Sequence, residues 1–253
     1  EMNRFFVKTE NIDIKNKRIL IEGNDVRHIT RVLRLAKGDL LEICDSEKHI
    51  YIGEIEEITK MEVFLSIKET HEITSELSKD IILYQSIPKS NKMDYIIQKT
   101  VEIGVKEIVP LITSRTIVQF KNHKDKEKKV KRWQKIAEEA AKQSKRGTIP
   151  TIHMPIAYTD ALVQDGANNL NIIPYVKERE ASLRQAIKLI SGEKPEKIGI
   201  WVGPEGGFEA TEIDIAREQN LIPISLGPRI LRTETVGITM LSILAYELGD
   251  LGG

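Results

Sequence analysis

Residues 201–240 read WVGPEGGFEATEIDIAREQNLIPISLGPRILRTETVGITM, and this stretch decides the fold. Ile198-Gly199-Ile200-Trp201-Val202 is an apolar run of strand length. It stops at the turn Gly203-Pro204-Glu205-Gly206-Gly207. Helical periodicity follows from Thr211, whose hydroxyl is placed to cap that helix. A second short strand, Leu221 to Leu226, stops at Gly227-Pro228. A longer apolar helix then starts at Thr233 or Glu234 and runs to Leu248. Two turns at strand C-termini, close in sequence, are where an open α/β sheet places its ligand. Such turns also occur in α/β domains that bind nothing there. Neither is a GxGxxG or a GxxxxGK[ST] phosphate loop. What they offer is backbone N–H and C=O groups that glycine leaves accessible, which suit a neutral heterocycle such as adenine better than a pyrophosphate.

Working outward, alternating strands and helices extend back to Ile81. DIILYQSIP (80–88) is a strand, KMDYIIQKTVEIGV (92–105) an amphipathic helix stopped by Gly104, and EIVPLIT (107–113) the next strand. A helix over Arg132 to Ser144, the segment Ile149 to Pro155, a short helix over Tyr158 to Gln164 and a strand over Asn171 to Tyr175 follow. A helix over Ser182 to Ser191 leads into the two turns. Before residue 72 the pattern differs. Ile19–Ile21, Leu40–Cys44, His49–Ile55 and Val63–Ile67 read as short strands. One helix fits Asn24 to Leu33, with Val26, Ile29, Val32 and Leu33 on one side. We therefore expect two domains: 1–72, a small closed β-barrel, and 73–253, an α/β domain.

The chain has 253 residues with 38 Lys/Arg against 38 Asp/Glu, a balance that argues against indiscriminate nucleic-acid binding. The distribution is uneven. Residues 121–146 carry eleven Lys/Arg against four acids. Lys121 to Lys131 reads as a charged loop or helix start. Arg132, Lys142, Lys145 and Arg146 sit near one helix and its end, where several phosphates can be met together. The first 72 residues hold 12 Lys/Arg against 15 Asp/Glu, with positive charge gathered only at Arg27, His28, Arg31 and Arg34. Those side chains either face RNA or brace the module. The single cysteine, Cys44, excludes an internal disulfide and reads as a buried strand residue. His28 and His153 have no partners at metal-ligand spacing, so no metal is expected. With no long apolar run and no apolar leader in the first residues, a cytoplasmic location is expected.

GPEGGF followed by LGPRILRTET resembles the paired C-terminal motifs of the bacterial 16S ribosomal RNA uridine-N3 methyltransferases, members of the SPOUT class. HITRVLR (28–34), KMDYIIQKTVEIGV (92–105) and RWQKIAEEAAKQSKRGTIP (132–150) fit the same family, so the resemblance spans essentially the whole chain. It implies a trefoil-knotted α/β domain behind a PUA- or OB-like RNA-binding module. It implies S-adenosylmethionine as methyl donor, held by Gly203, Pro204, Glu205, Gly206, Gly207, Leu226, Gly227, Ile230, Leu231, Arg232 and Thr233, with Tyr175 to Glu178 bordering the ribose and methionine portions. It implies a homodimer acting on 16S rRNA within the small ribosomal subunit. The alternatives are another RNA methyltransferase of the class, acting on tRNA or on ribose 2′-OH, or a non-catalytic rRNA-binding assembly protein.

The implied chemistry makes a demand. Uracil N3 carries a weakly acidic proton, so the neutral base is a poor nucleophile and its anion must be favoured. Arg232 is the candidate to stabilise negative charge on O2 or O4, and Glu234 the candidate proton acceptor. The same two residues also read as an ion pair or as a cap on the final helix. Leu226, Ile230 and Leu231 read equally as pocket walls and as core.

Overall fold

The computed structural model describes residues 2–165, 170–193 and 195–252. They form two compact units, Glu1–Glu76 with Ala141–Ile149, and Leu77–Ala140 with Pro150–Gly253. The division expected at residue 72 falls at Glu76, and residues 141–149 join the first unit.

The first unit is a six-stranded sheet of β1 (Arg4–Phe6), β2 (Ile12–Asp13), β3 (Arg18–Glu22), β4 (Leu40–Cys44), β5 (His49–Ile58) and β6 (Glu62–Glu72). The strand order is β1-β4-β5-β6-β3-β2, and only the β1–β4 pair is parallel. Among the described residues no ladder joins β1 to β2, so the expected barrel is open at that seam. Alternation of side chains sends Ile19 and Ile21 of β3, and Val63 and Leu65 of β6, into one apolar cluster with Phe5, Leu41, Ile43, Tyr51 and Ile55. Cys44 is buried beside them, and burial pushes its thiol up to about 11, so it is no nucleophile. The expected helix over 24–33 is α1 (Asn24–Arg27) continued by a wider turn over His28–Val32. In that turn the Leu33 N–H reaches back to His28 C=O at 2.9 Å. The widening shifts the helical phase. Val26 and Ile29 point inward, but Val32, expected on the same face, is 69% exposed.

Residues 141–149 join this unit through charge. Arg146 is 3% exposed and forms an ion pair with Glu76, whose carboxylate also accepts the Thr148 hydroxyl at 2.8 Å and the Gly147 N–H at 3.0 Å. Gly147 must lack a Cβ here, because one would overlap Ile73. Burial opposes ionisation of Glu76, but Arg146 and the Thr148 and Gly147 hydrogen bonds outweigh it and hold the carboxyl below the usual range. A folded-state pKa below the unfolded one stabilises at neutral pH, and that contribution is lost as pH falls through the folded value. Arg146→Met would strand the carboxylate and is expected to cost on the order of 3 kcal/mol at neutral pH. Urea denaturation should show the gap to wild type closing only as pH falls below the usual carboxylate range, through the folded value. Equal stability at neutral pH would show that the pair contributes nothing.

The second unit is built on a parallel sheet of β7 (Asp80–Ser86), β8 (Glu107–Ile112), β9 (Thr151–Ile152), β10 (Ile156–Ala157), β11 (Leu170–Pro174), β12 (Lys197–Val202) and β13 (Ile222–Ile224). The order is β10-β8-β7-β12-β11-β13, with β9 also on β8. Chain progression reverses between β7 and β12, so the crevice at their C-terminal ends is the topological switch point of this sheet. β12 carries five consecutive buried residues, the mark of a strand covered on both faces. Trp201 of β12 stacks on Tyr84 at 3.9 Å, takes Tyr158 edge-on, and donates its Nε1–H to Asn171 Oδ1 at 2.9 Å. A side chain at Gly199 would overlap that same Asn171 oxygen.

The helices are α2 (Lys92–Ile103), α3 (His123–Gln143), α4 (Tyr158–Asp165), α5 (Leu183–Glu193), α6 (Ala210–Glu218) and α7 (Thr233–Glu247). Gly104 ends α2 at φ 115°, as expected of a glycine past a helix end. Three expectations are corrected. α3 starts at His123, nine residues earlier than Arg132, because Asn122 Oδ1 accepts the Asp125 N–H at 2.9 Å and caps it. α6 is capped by Glu209 and Glu212 instead of Thr211, with the Glu209 N–H donating to Glu212 Oε2 at 2.8 Å. The strand expected over 221–226 pairs with β11 only over Ile222–Ile224, and Ser225 beyond it makes a single bridge to Ser182. Among the described residues no helix is long and apolar enough to cross a membrane.

Candidate active site

Three chain segments leave the C-terminal ends of neighbouring strands and meet at one cavity of about 540 Å³. The first follows β12. Its turn closes with the Gly207 N–H on Pro204 C=O at 2.8 Å, with Gly207 at φ 67°. The second follows β13 and turns at Gly227, φ 101°. The third follows β11 and is tied to the second by the Tyr175 N–H on Ile224 C=O at 2.9 Å. An adjoining cavity of about 180 Å³ is lined by Leu226, Gly227 and Ile230. Every residue expected to form the cofactor pocket lines one cavity or the other except Glu178. Glu178 instead orders its own loop. Its Oε1 accepts the N–H groups of Glu180 at 2.8 Å, Ala181 at 3.3 Å and Arg179 at 2.9 Å, and Arg217 approaches its other oxygen at 3.2 Å. Those backbone donors hold its carboxyl below the usual range.

Behind the cavity a buried relay joins the parts. Gln85, at the end of β7, is fully buried and donates to the Thr233 hydroxyl at 3.0 Å. Thr233 donates in turn to Gly203 C=O at 2.7 Å. The Thr233 hydroxyl therefore clamps the first turn to the start of α7 instead of capping that helix. Arg232 takes the cap position with extended backbone (φ −69°, ψ 153°) and an exposed side chain.

Two cationic residues that the sequence reading did not assign to the pocket line it. Lys92, the first residue of α2, sets its ammonium 3.2 Å from Glu205 Oε1 and 3.1 Å from Glu234 Oε2. Arg115 donates to Gly206 C=O at 2.5 Å. Only folding brings residues 92 and 115 against 205–234, so no local spacing marked them. Glu205 also accepts the Lys89 N–H at 3.1 Å. For both carboxylates burial favours the neutral acid. The helix-start and turn N–H groups and Lys92 outweigh it, with Arg232 adding to the effect at Glu234. Both carboxyls therefore sit below the usual range, while Lys92, ion-paired with Glu234 and Glu205, sits above its own. Glu234 is thus a carboxylate at neutral pH, ion-paired with Lys92.

The residues expected to meet RNA separate. Arg27, His28, Arg31 and Arg34 are exposed on the first unit, with His28 edge-on to Phe5. Arg132, on α3, is paired with Asp94. The other three are engaged inside the first unit. Lys142 meets Asp25 at 3.1 Å and lies over the Phe5 ring, Lys145 meets Glu42 at 3.2 Å, and Arg146 is the buried partner of Glu76. Those ion pairs, unreadable from local sequence, give these three side chains structural partners. Among the described residues no His/Cys/Asp/Glu cluster could hold a metal ion.

A parallel sheet with a ligand cavity at these turns, joined to a small β module, is the architecture of the SPOUT-type RNA methyltransferases. An RNA methyltransferase domain family matches residues 75–245, and an RNA methyltransferase PUA domain family matches residues 21–68. The chain is 33% identical to the ribosomal RNA small subunit methyltransferase E of Buchnera aphidicola from Acyrthosiphon pisum, over 93% of this chain and 90% of that protein. The Bacillus subtilis protein of the same name is 29% identical over the full chain and 99% of its own length. The crystal structure of the Neisseria gonorrhoeae protein of that name, bound to S-adenosyl methionine, superposes with a TM-score of 0.83 at 29% identity, covering 97% of this chain and 98% of that one. The chain belongs to the ribosomal RNA small subunit methyltransferase E family.

Lys92→Met removes the cation shared by Glu205 and Glu234. Both carboxyl carbons are expected to titrate at higher pH in the variant by NMR. Unmoved midpoints would show that their ionisation does not depend on Lys92.

Proposed function

We propose that this protein transfers a methyl group from S-adenosylmethionine to uridine N3 in the decoding region of 16S rRNA, within the small ribosomal subunit and in the cytoplasm. The observation that carries the reading is the cavity at the switch point, where backbone-rich glycine turns meet a cation–carboxylate cluster. The residues fit the methyl donor. Its size is in the range of small-ligand sites, Ile230, Leu231 and Val236 supply apolar wall, and the 203–207 and 226–227 turns supply backbone donors and acceptors. When bound, that donor supplies an activated methyl on a sulfonium, with a neutral leaving group.

The chain's own residues then have separable duties. The Gln85–Thr233–Gly203 relay holds the two turns in register, so that acceptor and methyl are aligned. Arg232 projects its guanidinium at the rim and stabilises negative charge developing on a uracil oxygen. Glu234, kept ionised by Lys92, accepts the N3–H and draws its proton as the nitrogen becomes nucleophilic. Arg27, His28, Arg31 and Arg34 of the PUA-like unit offer a second RNA contact. A homodimer through the second unit is supported by the outer side of α7, where Ile238, Ile243 and Leu248 are half-buried and Tyr246 is 65% exposed.

Gly206→Val places a branched side chain against Arg115, where even a Cβ lies 3.1 Å from Arg115 Cδ. It is expected to abolish S-adenosylmethionine binding by calorimetry in a protein that remains folded. Unchanged affinity would remove the donor from this turn.

Single-turnover transfer to small subunits lacking the methyl group, with nucleosides read by mass spectrometry, tests the reaction itself. The expected product is 3-methyluridine, and methylation of ribose or of tRNA instead would select another member of the class. Arg232→Ala should slow the step on the order of 10²–10³-fold, with Arg232→Lys recovering only part because it lacks the planar fork. Glu234→Gln should be slow at neutral pH and partly relieved toward alkaline pH, where uracil sheds its proton unaided. A near-normal Glu234→Gln rate throughout would leave Glu234 only as the partner of Lys92.

A further inference from the structure

We propose that the outward face of α3 is a phosphate-binding surface for the substrate RNA, an inference that rests on the rRNA-methylating reading above. Lys124, Lys128, Lys131 and Lys135 are spaced i, i+4, i+7 and i+11. At 3.6 residues per turn they fall within an arc of about 60°. All four are exposed, and the opposite side of the helix carries the buried Trp133, Ala137 and Ala140. The stripe therefore points directly away from the core of its unit.

The neighbouring cations have other work. Lys126 lies 5.7 Å over the Phe120 ring and Lys129 5.8 Å over Trp133. Arg132 is held by Asp94. Of the stripe, Lys135 alone forms an ion pair among the described residues, with Glu139 at 3.8 Å. Glu127 flanks it but lies 3.4 Å from His123. Lys124, Lys128 and Lys131 have no ion-pair partner among the described residues. Like charges one turn apart repel and weaken a helix, so this arrangement is costly alone and is relieved by a polyanion. The capped start of α3 presents the stripe on a regular helix about 16 Å long from Lys124 to Lys135. That length suits successive phosphates of one strand.

Its placement fits the reaction. Asp94, which holds Arg132, lies in the first turn of α2, and α2 begins with Lys92 at the cavity. RNA lying along the stripe would pass beside the site where its base is methylated. Phosphate contacts position a nucleic acid without reading its sequence, so the stripe should govern affinity and leave the chemical step alone.

The test compares wild type, a Lys124→Gln/Lys128→Gln/Lys131→Gln variant, and a control with the same loss of charge elsewhere in the unit, Arg184→Gln/Lys188→Gln/Lys197→Gln. The probe is small ribosomal subunits lacking the methyl group, titrated at several salt concentrations. The stripe variant is expected to bind on the order of tenfold or more weakly at low salt, with the slope of log K against log salt reduced by about 2 to 3. KM for the subunit should rise while kcat at saturation and S-adenosylmethionine affinity stay at wild-type values. The control should behave as wild type. Unchanged affinity and slope in the stripe variant, or equal losses in the control, would overturn the proposal. Wild-type protein inert on small subunits would instead remove the functional reading, and with it the ligand assigned to the stripe.

Discussion

The Thr233 hydroxyl, between Gln85 and the Gly203 carbonyl, is the contact on which the site depends. It spans β7, the turn after β12 and the first residue of α7, three pieces far apart in the chain. Gln85 is fully buried, and burying its amide donor is costly unless it is hydrogen-bonded; its Nε2 donates to the Ser86 carbonyl at 2.9 Å and to Thr233, while its Oε1 has no partner among the described residues. That requirement sets where α7 starts. It also sets the distance between the glycine turn and the segment carrying Arg232 and Glu234. Sheet topology supplies the crevice, and this hydrogen-bonded chain gives the crevice a defined floor.

On the rim, charge does the corresponding work. Lys92 lies between Glu205 and Glu234, so one ammonium joins the turn after β12 to the start of α7. Two carboxylates facing one crevice would otherwise raise one another's pKa. With the lysine between them both stay ionised, and Arg232 remains exposed at the same mouth. In the proposed reaction this arrangement accepts a hydrogen bond from the base N–H and offers cationic charge to its oxygens, the combination that making an imide nitrogen nucleophilic requires.

Positive charge elsewhere is sorted by the fold into two kinds. Lys142, Lys145 and Arg146 are consumed by Asp25, Glu42 and Glu76 within the first unit. Arg146, almost wholly buried, is the extreme case, because an unpaired guanidinium could not remain there. The lysines of α3 divide again, those near aromatic rings lying along them and those opposite the core standing in solvent. A count of charges over residues 121–146 averages groups with opposite fates.

The sequence alone determined most of the order of strands and helices and the two glycine turns, after β12 and β13, whose residues line the cavities. These are local properties: apolar runs mark strands, and glycine marks the positions where the chain must turn at positive φ, as at Gly207 and Gly227. Motif resemblance extended that reading to the family. Side-chain partnership across the chain was decided only by the tertiary structure. Lys92 and Arg115 reach the pocket because the sheet reverses its progression between β7 and β12. Glu178 leaves the cavity lining because three backbone N–H groups claim its carboxylate. Val32 turns outward because one widened helical turn shifts the phase. Residues 141–149 join the first unit because Glu76 binds Arg146, Gly147 and Thr148. Each depends on groups many residues apart meeting where water is excluded, and no window of neighbouring residues contains that information.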